Sequence, residues 1–206
     1  MSWFCGIGSG FVPSIVSLVW FRLFNRPSGL FVVRTDMFSL TKIISGGQTG
    51  VDQAALRAAI SRGIAIGGWC PPGRICEDGT IPGAFPLQET PQDRSPNAPD
   101  VPRSQRTEWN VRDSDATLIL WPSLLSPLDP GTRWTIDCAN HYQKPLAICD
   151  PNDQTKSPKI RSWLSVNERN IRALNVAGPS ERISPGIGFI AERFMQILLS
   201  DAAASR

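Results

Sequence analysis

The chain is poor in the residues that most metal and hydrolytic chemistry depends on. Its 206 residues include one histidine, His141. That excludes metal sites built on two or more imidazoles and leaves almost nothing for a histidine-based triad. No serine sits in a nucleophile-elbow pattern. The five cysteines, Cys5, Cys70, Cys76, Cys138 and Cys149, are an odd set with neither a disulfide-framework nor a zinc-ribbon spacing. They read as belonging to a reduced, cytoplasmic chain. Cys70, Cys76 and the neighbouring Glu77-Asp78 are poorly spaced for zinc and lack a fourth ligand, so no metal is assigned. Charge is also scarce. Charged residues make up 19% of the chain, and 21 basic against 18 acidic side chains give +3 with no dominant basic cluster. A nucleic-acid backbone is therefore not an expected partner.

Long apolar runs are missing as well. Residues 3–24 are mostly apolar, but Gly6, Gly8, Gly10 and Pro13 interrupt them, and a membrane span needs about 20 apolar residues. The positive charges Arg22, Arg26 and Arg34 follow this run rather than precede it, unlike those of a secretory signal. A membrane location is not expected. Residues 1–36 read as an extension whose status stays open: a packed or disordered segment, a peripheral anchor, or a mis-called translation start. Residues 37–206 make a complete domain by themselves, since 206 − 36 = 170 residues.

What is present is an alternation of short apolar strands and helices. Residues 38–44 read as a strand, 51–62 as a helix ended by Gly63, and 64–66 as a second strand, together a βαβ unit. Residues 69–102 are rich in proline and glycine, have little periodicity, and read as a functional loop or lid. Helices are expected at 103–112, 132–142, 160–166 and 185–199. Strands are expected at 116–121, 146–149 and 173–176, the first apolar enough to be covered on both faces. The class is an α/β sandwich around a mainly parallel sheet. Such sheets bind ligands beyond the carboxyl ends of their strands.

Two loops follow strands and precede helices. In Ser45-Gly46-Gly47-Gln48-Thr49-Gly50, glycines let backbone N–H groups approach an anion, while Gln48 and Thr49 add side-chain donors. No lysine follows, so this is not a Walker A loop. Asp52 either favours the helix dipole or holds a ligand hydroxyl or ring nitrogen. In Asp129-Pro130-Gly131-Thr132, Gly131 and Thr132 offer a second anion site, with Arg133 beside it. Trp69 and Arg74 suit a conjugated ring bearing oxygen anions. Arg106 and Asn110, four apart, share a helix face, and Arg112 is a further candidate. Gly186-Ile187-Gly188 reads as a helix-start turn, and His141 as a helix end rather than a base.

Several motifs, in order, resemble the molybdenum cofactor carrier family. They are Ser45-Gly46-Gly47-Gln48-Thr49-Gly50-Val51-Asp52, Gly67-Gly68-Trp69-Cys70-Pro71, Glu77-Asp78-Gly79, the run 105–117 from Gln105 to Thr117, and Leu174-Asn175-Val176-Ala177-Gly178-Pro179. The resemblance covers residues 40 to 200. It implies a Rossmann-like three-layer sandwich related to the phosphoribohydrolase and nucleotide-binding superfamily. It implies non-catalytic binding, protection and transfer of molybdenum cofactor, a phosphorylated pterin dithiolene, with apo-molybdoenzymes as recipients. It further implies a homo-oligomer, commonly a tetramer. Gly46, Gly47, Thr49 and Gly50 would then form the first anion loop and Gly131 and Thr132 the second. This chain has Pro130 where relatives carry a glycine, which removes one backbone donor. The alternatives are a nucleotide-derivative binding protein, or a phosphoribohydrolase-like enzyme using Asp137 with Arg133 or Arg112.

Overall fold

The computed structural model describes residues 40–125, 127–166 and 170–200. The expectations for residues 1–36 and for a start at Met37 lie outside these. In chain order the elements are β1 (Lys42–Ile44), α1 (Val51–Ser61), β2 (Ala65–Gly67), β3 (Trp69–Cys70), β4 (Ile75–Cys76), β5 (Gly79–Thr80) and β6 (Gln88–Glu89). There follow α2 (Ser104–Arg112), β7 (Ala116–Leu120), α3 (Pro130–His141), β8 (Leu146–Cys149), α4 (Ser157–Val166), β9 (Ala173–Ala177) and α5 (Ile187–Leu198).

Five strands form one sheet in the order β2-β1-β9-β7-β8, and every pairing is parallel. The last strand in sequence, β9, lies at its centre. All five residues of β7 are buried, as the apolar run predicted for a strand covered on both faces. One face is covered by α1, α4 and α5. Ala54, Ala55, Ala58 and Ala59 of α1 are fully buried and share a core with Ile160 and Leu164 of α4 and Phe194 and Leu198 of α5. A face of alanines lets α1 lie close to its neighbours, because a methyl keeps the backbones near each other. On the opposite face α2 and α3 pack together through Val111, Cys138 and Ala139, with Leu146 of β8 against them. The chain is thus an α/β three-layer sandwich of the Rossmann-like kind.

Element ends differ from the sequence expectation for identifiable reasons. Helix α3 begins at Pro130, two residues early, because the Asp129 carboxylate accepts hydrogen bonds from the Gly131 and Thr132 amides. Proline at the first helical position has its φ preset. Helix α5 begins at Ile187 after Gly186, whose φ is +84°, and Glu181 accepts from the Gly186 and Gly188 amides. The stretch 69–102 is ordered by pairing of β3 with β6 and β4 with β5. Arg74 tightens it by donating to the carbonyls of Pro82, Phe85 and Leu87.

Candidate functional site

The carboxyl ends of β1, β9 and β7 meet at a cavity of about 320 Å³. In a parallel sheet this is where ligands are expected, because loops diverge there and leave a crevice. Gln48 and Asp52 line it from the β1–α1 connection, and Gly178 and Ser180 from the segment after β9. Asp129, Gly131, Thr132 and Thr135 line it from the start of α3, Arg103, Arg106 and Thr107 from the start of α2, and Glu77 from the 69–102 excursion.

Its centre is an ion pair. Arg106 Nη1 donates to Asp52 Oδ2 at 3.0 Å, with the two side chains 17% and 4% exposed. The Gln48 amide also donates to Asp52 Oδ2, at 3.2 Å. Burial pushes the Asp52 carboxyl above its ordinary pKa; Arg106 and the Gln48 amide pull the other way without cancelling it. The Arg106 Nε is buried and has no hydrogen-bond partner. Gly46 makes room for this guanidinium: a Cβ there would stand 2.6 Å from Arg106 Cζ and 2.9 Å from Cδ.

Glu77 fastens the excursion to the site. Its carboxylate accepts from Thr49 Oγ1 at 2.9 Å and Ser180 Oγ at 2.7 Å, and pairs with Arg182 at 3.1 Å. Its own amide donates to Gln48 Oε1 at 2.8 Å. Burial would raise the Glu77 pKa, but the hydrogen bonds from Ser180, Thr49 and Arg182 outweigh it and hold the group below the ordinary glutamate range. A depressed carboxyl contributes stability that is present above its unfolded pKa and lost as pH falls through its folded pKa. Glu77→Ala is expected to destabilise the fold by about 1–3 kcal/mol, because the Thr49 and Ser180 hydroxyls lose their acceptor. Limited proteolysis at pH 7 should then cut within 75–90, where the parent resists. Equal resistance would mean that Glu77 does not hold this segment.

The Gly46–Gly50 loop is buried throughout. Gly47 has φ +77°, and a Cβ there would come within 2.6 Å of Leu87 Cδ1. Of the loop residues, Gln48 alone is part of the cavity lining. At the second loop, the Gly131 and Thr132 amides and the Thr132 hydroxyl donate to Asp129 at 2.8, 3.0 and 2.6 Å. The amides at the start of α3 are thus satisfied by the chain's own carboxylate.

The other sequence candidates lie away from the cavity. Trp69 lines a separate hollow of about 240 Å³ with Lys42, Gly67 and Asp113. Its indole Nε1 donates to Asp113 at 2.7 Å, and its ring meets Trp109 edge-on at 4.6 Å. Asn110 is held by the Trp69 backbone, accepting from its amide at 2.7 Å and donating to its carbonyl at 2.9 Å. Arg112 pairs with Asp113 and covers the Trp109 ring. Arg74 serves the carbonyls already described. Arg133 is exposed and donates to the Leu128 carbonyl at 3.0 Å. Asp137 is exposed on α3 and is not part of the cavity lining. Three polar lining residues were not singled out from sequence: Arg103, Thr135 and Ser180. The helical period from Thr132 does place Thr135 on the same face, Glu77 lies in the Glu77-Asp78-Gly79 motif, and nothing local marks Ser180.

Among the described residues no helix is long and apolar enough to cross a membrane. Residues 43–199 match the Circularly permutated YpsA SLOG family. No curated protein sequence matches the chain. Among solved structures, the chain is similar to the crystal structure of a "Putative molybdenum carrier protein" from Syntrophus aciditrophicus SB. The two are 38% identical, with a TM-score of 0.66, over 80% of this chain and 95% of that one.

Proposed function

The chain belongs to the Circularly permutated YpsA SLOG family, and from that premise we propose that it binds a phosphorylated, molybdenum-bearing pterin as cargo. On this reading it shields the cargo for transfer to apo-molybdoenzymes and does not convert it. The observation that carries the reading is the Arg106 guanidinium lining a cavity at the carboxyl ends of β1, β9 and β7. A mostly buried guanidinium that lines a cavity attracts an oxyanion, because its N–H groups that face the cavity can donate to one. The 38% likeness to a protein named as a molybdenum carrier supports molybdenum as part of the cargo.

Each wall then has a task. Arg106 takes anionic oxygen, Gln48 and Thr107 offer polar contacts to ring edges, and the Glu77-fastened excursion limits access of water. Asp52, Glu77 and Asp129 already accept from named donors, which supports a holding role over general-base work. The hydrolase alternative needs a carboxylate from α3 beside the ligand. That helix lines the cavity with Thr132 and Thr135, while Asp137 stands outside the lining. A homo-oligomeric assembly belongs to the same reading.

The test is titration of freshly released molybdenum cofactor into the full chain, followed by gel filtration. Molybdenum and oxidised-pterin fluorescence are read on the same fractions. Both should co-elute with the protein at a fixed ratio, and the fractions should reconstitute an apo-nitrate reductase. If neither stays with folded protein the carrier reading fails. Release of free base from a nucleoside monophosphate would establish the hydrolase instead.

A further inference from the structure

Three places around the cavity carry donors suited to an anion, and two of them are engaged by the chain itself. The Gly46–Gly50 loop is buried, with Gly46 against the Arg106 guanidinium and Gly47 against Leu87 and Ile81. The first amides of α3 are bound by Asp129. The third place is the start of α2.

There Arg103 occupies the N-cap position with φ +59° and ψ 22°, a left-handed conformation, and its side chain makes no capping hydrogen bond. L-residues other than glycine avoid this region because Cβ crowds the backbone. Such residues cluster at ligand sites where the surroundings fix them. Here the surroundings are evident: the Arg103 amide donates to Asp93 Oδ2 at 3.2 Å, and its carbonyl accepts from Thr107 Oγ1 at 3.3 Å. The Arg103 residue lines the cavity. Among the described residues its side chain has no hydrogen bond and no ion pair. Arg106, three residues on and so on the same helix face, lines the same cavity with its buried Nε unpartnered. The carboxylates in that wall are already engaged, Asp129 by α3 and Glu77 by Thr49, Ser180 and Arg182.

We propose that Arg103 and Arg106 form a two-guanidinium clamp for a tetrahedral oxyanion, the phosphate monoester of the bound ligand, and that Arg103 sets the preference for phosphorylated over unphosphorylated ligand. Planar forked donors suit such an oxyanion better than a point charge does. The proposal deepens the carrier reading and rests on it for the pterin that carries the phosphate.

The experiment compares neopterin with neopterin monophosphate by fluorescence titration of the full chain, and inorganic phosphate by its effect on thermal unfolding. The parent should bind the phosphorylated form at least tenfold tighter, and phosphate should raise its melting temperature. Arg103→Gly removes the cation and the left-handed strain together. It should bring the two pterins within twofold of each other and abolish the phosphate effect, with a melting temperature equal to or above the parent's. Arg103→Gln keeps the backbone conformation and removes only the charge; it should lose the preference too, and it decides the matter if the glycine variant fails to fold. A preference unchanged in the folded variants overturns the clamp. Equal binding of both pterins by the parent also overturns the clamp while leaving a pterin site standing. If neither pterin binds but phosphate stabilises the parent in an Arg103-dependent way, the clamp stands and the carrier reading falls.

Discussion

Arg106→Met should cost roughly 3–5 kcal/mol at neutral pH, the scale seen when one partner of a buried ion pair is removed, and should abolish oxyanion binding. The reason is Asp52, whose side chain is 4% exposed. Without the guanidinium it retains the Gln48 amide but no countercharge. Burial already holds the Asp52 pKa above the ordinary value, and removing Arg106 takes away a cause that lowers it. A raised carboxyl favours the folded state fully below its unfolded pKa, and that contribution is lost as pH rises through the folded pKa. The deficit of the variant should therefore be largest at pH 7 and shrink as pH falls toward the ordinary aspartate value of 3.8. Urea unfolding at pH 7 and pH 5 measures it. Adding Asp52→Asn should recover at least half of the loss, because the buried charge goes with its partner. A deficit that ignores pH and is not recovered in the double variant would show that the arginine acts by packing alone.

The second large effect is at Gly50. This residue has φ +79° and ψ −127° as the N-cap of α1, and a Cβ there would stand 2.6 Å from the Pro179 carbonyl oxygen and 2.9 Å from the Glu181 amide nitrogen. Both obstacles are backbone, which cannot swing aside as a side-chain end does. The same approach lets the Val51 amide donate to the Pro179 carbonyl at 3.2 Å, joining the β1 and β9 connections. Gly50→Ala should cost about 3 kcal/mol or more, from a forbidden backbone conformation together with the clash. Gly63→Ala is the control. It has φ +66° with nothing within 4 Å of the added methyl, so it should cost only about 1–2 kcal/mol for the left-handed conformation. Equilibrium unfolding of both variants, with equal denaturant slopes, separates crowding from strain. Costs that agree within error would mean the β1 and β9 connections yield easily.

The sheet was legible in the sequence because interior parallel strands are short unbroken apolar runs. The bounds expected for β8 coincide with those observed, and β7 differs by one residue. The start of α3 was less legible. Asp129-Pro130 is a capping signal as much as a loop signal, and which one applies depends on where the carboxylate turns. The glycines at 46, 47 and 50 are ambiguous for a related reason. Sequence shows that a Cβ is missing, not what fills the space, and here the space belongs to Arg106, to Leu87 and Ile81, and to the 179–181 backbone. The grouping of Arg106 with Asp52 and Gln48 joins residues 54 positions apart, and that of Glu77 with Ser180 joins residues 103 apart. Neither pairing has a local signature. Trp69, Asn110 and Arg112 do come together, but around Asp113 and the Trp109 ring, since the face of α2 that bears Asn110 is turned toward β3.

The central position of β9 has a consequence for biosynthesis. The sheet order β2-β1-β9-β7-β8 places residues 173–177 between two strand pairs made long before them. While the chain is growing, β1 with β2 and β7 with β8 have no hydrogen-bonded neighbour in common, and the edges of β1 and β7 that later pair with β9 stand open. An open edge is a template for pairing with other chains, so the nascent protein is expected to be prone to association until β9 is made. The floor of the crevice arrives with the same strand. A ribosome-bound chain that stops short of Ala173 lacks the strand between its two walls, so loading of a ligand is expected to wait until β9 has been made.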